Sequence, residues 1–328
     1  MSRSEGAPGA LTAGLDTLLD ALVVPGYSRF GVAARRHWWP ADARPFDTPA
    51  DVLVTGASSG LGEATARGLA ALGARVHLVG RSADRLAAAA GRIRAAVPAA
   101  DLVPHAADIS DLDAAARLAD AVTAQVDGLH ALIHCAGIMP ARRTFTADGS
   151  ELAFATHVLG PFLTTVRLRP VLAADGDARV VFVSSGGMYS AALSDDLDSG
   201  IGDYSGVRAY ARTKRMQVTL AELLGAAMNR PADPVVHSMH PGWAATPGVS
   251  DSLPGFDTVA RPILRTPQQG ADTIVWLAAA EPPSRSTGQF WHDRRPRRTY
   301  FLPWQHDDPE VRARLWRACE RRTGVTLS

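Results

Sequence analysis

From residue 51 onward the chain alternates short, almost wholly apolar runs with longer amphipathic ones, and few architectures accept that rhythm. The short runs read as strands buried on both faces: 51–55, 75–79, 102–106, 131–135, 179–184 and 235–240, with a last one at 289–292. Between them lie 61–72, 83–97, 112–126, 151–172, 207–228 and 268–280. These are apolar at every third or fourth position and long enough for helices, with an interruption near Gly160 and Pro161. Strands that alternate with helices of this length form βαβ units with right-handed crossovers. The expectation is an α/β fold: a doubly wound parallel sheet of about seven strands, flanked by helices on both faces.

Composition removes several classes of function. Hydrophobic residues are 46% of the 328, too many for a disordered chain and enough for a sizeable core. Thirty-four basic against 33 acidic residues leave +1, so there is no general reason to expect a nucleic-acid partner. Two cysteines, Cys135 and Cys319, make no disulfide framework, and a reducing, cytoplasmic setting fits. No apolar run reaches the roughly 18 residues of a membrane span, and the first ten residues lack the pattern of a secretory signal. No His, Cys and carboxylate grouping has metal-ligand spacing, so a metal-free site is expected.

The two ends differ from this core. Residues 1–50 form an extension to the single domain expected over 51–328. Leu11, Leu15, Leu18, Leu19 and Leu22 stand at helical spacing with Asp16 and Asp20 between them, and Pro25-Gly26 should stop that helix. An aromatic and basic stretch follows, with Tyr27, Phe30, Arg35, Arg36, Trp38 and Trp39. A helix and strap packed on the main domain is the favoured reading; a membrane-surface or partner-binding arm is the alternative. From about residue 293 a tail carries Arg294, Arg295, Arg297 and Arg298 around Pro296, read as a solvated basic segment.

Thr55-Gly56-Ala57-Ser58-Ser59-Gly60-Leu61-Gly62 falls between the first strand and the first helix of the alternating region. That position makes the sheet a Rossmann-type candidate. Gly56 permits a tight turn, Gly60 lets backbone approach a pyrophosphate, and Gly62 lets helix pack closely on strand. The helix start at Leu61 and Gly62 presents free N–H groups to anionic oxygens. An acidic residue at the end of the second strand would bind the ribose hydroxyls of NAD. Here that strand ends in Gly80-Arg81-Ser82. A guanidinium suits a 2′-phosphate by charge and by paired donors, and Ser58 and Ser82 add hydroxyls. Arg81 therefore favours NADP(H), with NAD(H) as the alternative and a plain surface arginine as the bland one.

Tyr210 and Lys214 lie four residues apart on the helix after the fifth strand, hence on one face. A free phenol titrates near pH 10, and a neighbouring ammonium lowers that value toward useful acid–base chemistry. Lys214 is the only lysine in the chain, in a sequence that otherwise uses arginine. Arginine cannot replace a compact ammonium where one is required. Ser185, at the end of the fifth strand, is placed to hydrogen-bond a substrate oxygen.

Together these residues resemble a classical short-chain dehydrogenase/reductase over residues 51 to about 292. Several stretches are similar to the subgroup called dehydrogenase/reductase family member 12: VSSGGM at 183–188, YARTKRMQ at 210–217, HSMHPGWAATPGV at 237–249 and GQFWHDRRP at 288–296. GYSRF at 26–30 extends that likeness into the arm. The resemblance implies that Ser185, Tyr210 and Lys214 are catalytic, with His157 where the family has a water-holding asparagine. It implies that Asp108 and Ile109 contact the adenine, and that Cys135, Ala136 and Gly137 stand in the family's Asn-Asn-Ala-Gly loop. Pro241, Gly242, Trp243 and Thr246 would form the loop around the nicotinamide. It further implies homodimers or homotetramers through the helices after the fourth and fifth strands.

The function expected is NADP(H)-linked interconversion of a carbonyl and an alcohol, on a small-molecule substrate that is apolar. Trp243, Met188, Tyr189 and Phe256 are candidates for its wall, and an insert at 191–206 for its mouth. His157 would hold a water or relay protons. Cys135, at the end of an apolar strand, reads as a buried and unreactive thiol. The rival reading is a scaffold that keeps the nucleotide fold without turnover, favoured by the altered His134, Cys135 and His157.

Overall fold

The structure is a computed structural model that describes residues 10–245, 255, 260–302 and 304–327. Eight strands form one sheet: β1 (Asp51–Thr55), β2 (Arg75–Gly80), β3 (Asp101–Ala106), β4 (Ala131–His134), β5 (Arg179–Val183), β6 (Val235–Met239), β7 (Phe290–His292) and β8 (Arg295–Arg297). Their order is β3-β2-β1-β4-β5-β6-β7-β8, and every pairing but the last is parallel. The chain reverses direction across the sheet between β1 and β4. Loops from the carboxyl ends of the two halves part there and leave a crevice.

Nine helices are numbered in chain order up to that of the catalytic candidates: α1 (Ala10–Ala21), α2 (Val23–Tyr27), α3 (Arg29–Arg35), α4 (Gly60–Ala71), α5 (Ala83–Ala96), α6 (Leu112–Thr123), α7 (Leu152–Phe154), α8 (Gly160–Asp175) and α9 (Gly206–Ala227). Side chains alternate between the sheet's faces. Val52 and Val54 join α4, α5 and the helix Pro267–Ala279 in one core, while Leu53 and Phe182 join α6, α8 and α9 in the other. The break foreseen near Gly160 is a π-helical turn, Ala155–Leu159, inside an otherwise continuous helical run. A side chain at Gly160 would collide with the Ile109 carbonyl, so this helix is drawn against the loop after β3.

Three expectations change. The helical arm does not stop at Pro25-Gly26: α2 runs through them to Tyr27, where Ser28 caps α3 by accepting from the Phe30 amide. The arginine-rich segment after 293 is not a solvated tail. Asp293 and Arg294 take positive φ (51° and 57°), making a two-residue turn that pairs β7 with β8 and adds the eighth strand. Non-glycine residues rarely hold such angles, and here buried ion pairs enforce them. Arg294 binds Asp272 and Asp42, and Arg297 binds Asp16. Finally, a C-terminal helix (Pro309–Thr323) that the sequence reading omitted sets Leu315 and Cys319 into the core beside α8 and α9. It covers part of the surface through which pairing of subunits was expected.

The arm is fixed by charge. Arg35 is fully buried and donates to Asp16 (2.8 Å), to Asp293 (2.7 Å) and to the Gly26 carbonyl. Arg265, equally buried, meets the same Asp293 carboxylate at 2.6 Å. Burial alone would raise the Asp293 carboxyl, but His292, Arg265 and Arg35 around it hold it well below the usual carboxylate range. The strap after α3 crosses the helix Pro267–Ala279, whose Trp276 donates its ring N–H to the Ala41 carbonyl. Among the described residues no helix is long and apolar enough to cross a membrane.

Replacing Asp293 by Asn keeps shape and tolerates the same φ while leaving two buried guanidiniums without their shared anion. Asp293→Asn is expected to destabilise the protein by about 3 kcal/mol or more, read as a lowered urea midpoint. A loss under about 0.5 kcal/mol would show that the cluster is not coupled to folding.

Candidate active site

The crevice at the sheet's switch point has a volume of about 830 Å³. Its first wall is the glycine turn between β1 and α4. Gly56 has φ +70°, and a Cβ there would lie 2.8 Å from the Ala136 Cα. The β1–α4 turn and the loop after β4 therefore touch, backbone on backbone. Thr55 locks them: its hydroxyl oxygen accepts from the Cys135 and Ala136 amides at 3.0 and 3.1 Å. Ser58, Ser59, Gly60, Leu61 and Gly62 continue this wall, and Asp108, Ile109, Cys135, Ala136 and Gly137 close it. Asp108 is held in place by the Ser110 amide and hydroxyl, which both donate to one carboxylate oxygen.

At the far end stand Arg81 and Ser82. Arg81 is exposed and has no ion-pair or hydrogen-bond partner among the described residues. Ser82 caps α5, its oxygen accepting from the Arg85 amide, so its proton is the part free to be donated. Arg85 was not anticipated. Its guanidinium reaches Ser59 at 3.4 Å and lines the same end of the crevice. Two arginines thus flank a pocket that already carries hydroxyls and helix-start amides, a donor set suited to phosphate oxygens. Among the described residues no His, Cys, Asp and Glu grouping could hold a metal.

The other wall carries Ser185, Tyr210 and Lys214. Ser185 follows β5, and its oxygen accepts from the Gly187 amide at 3.1 Å. Tyr210 and Lys214 come from α9, with the Lys214 Nζ 5.4 Å from the Tyr210 ring centre. The ammonium is drawn inward, donating to the Val183 carbonyl (2.8 Å) and to Gln217 Oε1 (2.9 Å). Burial lowers Lys214 to about 7. Burial also raises the Tyr210 phenol above its ordinary value, and the adjacent Ser185 hydroxyl pulls it partly back. The lowering of Tyr210 by Lys214 that the spacing implies is therefore not present in this arrangement: the ammonium is itself disfavoured by burial and turned toward β5.

His157 sits behind the crevice, not in it. Its Nε2 accepts from the Ile138 amide at 3.0 Å, and its Nδ1 lies 2.8 Å from the Thr213 hydroxyl. Nδ1 is then the protonated nitrogen, donating to Thr213, and no ring atom is left for a water. Burial pushes the imidazole well below its usual value. The expected proton relay is replaced by a brace that ties the loop after β4 to α9. Cys135 is half-buried at the crevice edge, where burial pushes its thiol up to about 12, in keeping with an unreactive role.

Of the proposed substrate wall, Trp243 faces the crevice with Pro241 and Gly242. Met188 is fully buried against Val218 and Phe290, and Tyr189 packs on Phe301, so both belong to packing. Thr246 and Phe256 lie outside the described residues. The insert after Ser190 forms a side pocket with the first turns of α9 and is pinned by Asp196–Arg212 and Asp198–Arg322 pairs.

Tyr27 had no chemical signal in the sequence, yet it touches both the loop after Ser185 and the loop that bears Trp243. Its ring presses on Gly186, where a Cβ would approach to 2.8 Å, and meets Trp243 edge-on. Its carbonyl accepts from the Trp243 amide (2.8 Å) and from Arg265 (2.9 Å). The arm thereby supports the loops that present Ser185 and Trp243.

A family model described as short chain dehydrogenase matches residues 50–194. The chain is similar to dehydrogenase/reductase SDR family member 12 of Homo sapiens, 40% identical over 253 residues that cover 76% of this chain and 78% of that protein. Retinol dehydrogenase 12 of Homo sapiens is 31% identical over 273 residues, covering 82% and 85%. A solved structure of a short-chain type dehydrogenase/reductase from Mycobacterium ulcerans matches with a TM-score of 0.58 at 26% identity, covering 76% of this chain and 88% of that one.

Lys214 gives a pH signature. Its amine titrates near 10.5 when unfolded and near 7 when folded. The cost of burying the ammonium is fully felt below pH 7 and fades as pH rises toward 10.5. Lys214→Met is expected to stabilise the protein by on the order of 2 kcal/mol at pH 6, without nucleotide, and by little at pH 10. Urea unfolding at the two pH values checks this, and equal effects at both would contradict it.

Proposed function

This chain belongs to the short-chain dehydrogenase/reductase family and is an oxidoreductase; within that frame we propose that it uses NADP(H) to interconvert an apolar ketone or aldehyde and its alcohol. One observation carries the reading: Ser185, Tyr210 and Lys214 line the crevice whose opposite wall is the glycine turn and whose far end holds Arg81. The name of the retinol dehydrogenase relative supports an apolar substrate.

When bound, the nicotinamide nucleotide supplies or accepts the hydride. Gly56, Gly60 and the first amides of α4 would hold its diphosphate, and the lack of a side chain at Gly56 lets this turn close on the loop after β4. Arg81 and Arg85 would bind a 2′-phosphate through paired donors, which would favour NADP(H) over NAD(H). Asp108 and Ile109 would border the adenine, and Pro241, Gly242 and Trp243 the nicotinamide.

Tyr210 donates a proton to the carbonyl oxygen in reduction and recovers it from the hydroxyl in oxidation. Ser185 hydrogen-bonds that same oxygen and orients it toward the phenol. Lys214 serves a ligand-dependent role. An anionic nucleotide in the crevice favours its ammonium, and the ammonium in turn favours the Tyr210 phenolate. His157 is a positioning residue that keeps the loop 135–138 against α9. The rival reading, a nucleotide-binding scaffold without turnover, draws on the raised Tyr210 phenol and the braced His157.

Titration of intrinsic fluorescence with NADPH and NADH, followed by a panel of aldehydes, ketones and alcohols, tests the proposal. Tyr210→Phe is expected to keep NADPH affinity within about twofold and to lose at least ~100-fold in turnover. Unchanged turnover in that variant overturns the mechanism, and nucleotide binding without any turnover favours the scaffold. Arg81→Ala is expected to weaken NADPH about tenfold and to leave NADH unaffected. Equal loss for both nucleotides would remove Arg81 from the 2′-phosphate.

A further inference from the structure

Helix α1 is packed with its polarity reversed. Asp16 faces inward, where it meets Arg35, Arg295 and Arg297, and Asp20 leans toward the same arginines. The leucines at helical spacing point the other way: Leu15, Leu18 and Leu22 are 53%, 55% and 50% exposed. Val24 and Phe30 extend this outward apolar set onto α2 and α3. An amphipathic helix on a globular protein normally turns its apolar stripe to the core.

The tail adds to it. Phe301, Leu302 and Trp304 are exposed, Trp304 at 70%. The Arg297–Asp16 pair joins the strand just before them to α1, and Tyr189 holds them by stacking on Phe301 and donating to the Arg298 carbonyl. Eight of the eleven large apolar side chains exposed among the described residues therefore fall in two short segments that this ion pair connects. So uneven a distribution marks a contact surface.

Charge selects the occupant. From α1 to the C-cap of α3 the exposed ionic side chains among the described residues are Arg29 and Arg36, and Arg298 is exposed on the tail; on the strap beyond, Asp42 pairs with Arg294, and Arg44 and Asp47 are exposed. Both carboxylates of α1 are turned onto arginines. Further along, Asp308 caps the C-terminal helix and Glu310 pairs with Arg314. Leucines and a tryptophan flanked by arginines match the interface of an anionic bilayer, with apolar groups in the acyl boundary and guanidiniums at the phosphates. A two-fold contact between copies would instead bring the arm's like charges together.

We propose that α1 and the 298–304 segment form a peripheral membrane-docking surface for anionic phospholipid bilayers. The chain lies on the bilayer without spanning it, and α2, through Tyr27, sits between this surface and the loops that present Ser185 and Trp243.

The test is sedimentation of the full chain with vesicles of pure phosphatidylcholine or of phosphatidylcholine with 30% phosphatidylglycerol (about 30 mol%). The expected result is co-sedimentation with the anionic vesicles, several-fold weaker with neutral ones and weakened by salt. The combined variant Leu15→Gln, Leu18→Gln, Leu22→Gln is expected to lower the partition coefficient at least about tenfold, and Arg29→Gln with Arg36→Gln several-fold. All five positions are exposed, and an unchanged urea midpoint verifies folding. No co-sedimentation above the vesicle-free control overturns the proposal. So does a concentration-dependent dimer, seen by analytical ultracentrifugation and abolished by the leucine substitutions, in a protein that ignores vesicles.

Discussion

The Asp293 carboxylate, shared by Arg35 and Arg265, is the contact on which the most distant parts of the chain depend. Arg35 brings the arm, Asp293 the turn between β7 and β8, and Arg265 the segment that supports Pro241 and Trp243. Three charges removed from water gain little net stability from their mutual attraction, because desolvation offsets most of it. Their effect is on arrangement. Withdrawing Asp293 strips buried Arg265 of its anion and leaves Arg35 with the carboxylates of α1 alone, so the three segments are held in one relation. The positive φ of Asp293 and Arg294 follows from this, since a local preference is overruled by a buried network.

The wall that carries Ser185, Tyr210 and Lys214 rests on a similar balance. Lys214 is buried, bonded to a carbonyl and an amide oxygen, and its charge is marginal near neutral pH. Tyr210 is raised by its burial, although Ser185 opposes the shift. Neither group is set for proton exchange by the protein alone. In the proposed mechanism an anionic nucleotide would supply the missing favourable field for the ammonium, and through it for the phenolate. Under the proposed mechanism, acid–base competence is conditional on occupancy.

Much of this was legible in the sequence because it rests on local rules. Strand ends from 51 to 240 fall within a residue or two of the observed ones, since a doubly wound sheet buries continuous apolar runs. The glycine turn, Ser185, Tyr210, Lys214 and Arg81 line one crevice, as position after a strand or on one helical face requires. What was missed depends on long-range charge. Asp293-Arg294 carries no usual hairpin signal, and four arginines around a proline read as solvated until their aspartates are located. The leucine stripe of α1 reads as a core face by spacing alone, whereas Asp16 and Asp20 decide which side turns inward. His157 matched a motif position, but its role depends on Ile138 and Thr213, which no spacing rule connects.

The link between Arg35 and Asp293 spans 258 residues. The β1-to-β4 half, with its glycine turn, is built from neighbours in sequence and can collapse as soon as it is made. The loop bearing Trp243 has no such independence, because Arg265 and Tyr27 hold it only once Asp293 has joined them. A ribosome delivering this chain therefore releases the half with the glycine turn well before the wall with Tyr210 and Trp243 is complete. Arg35 leaves the ribosome 258 residues ahead of the aspartate that anchors it.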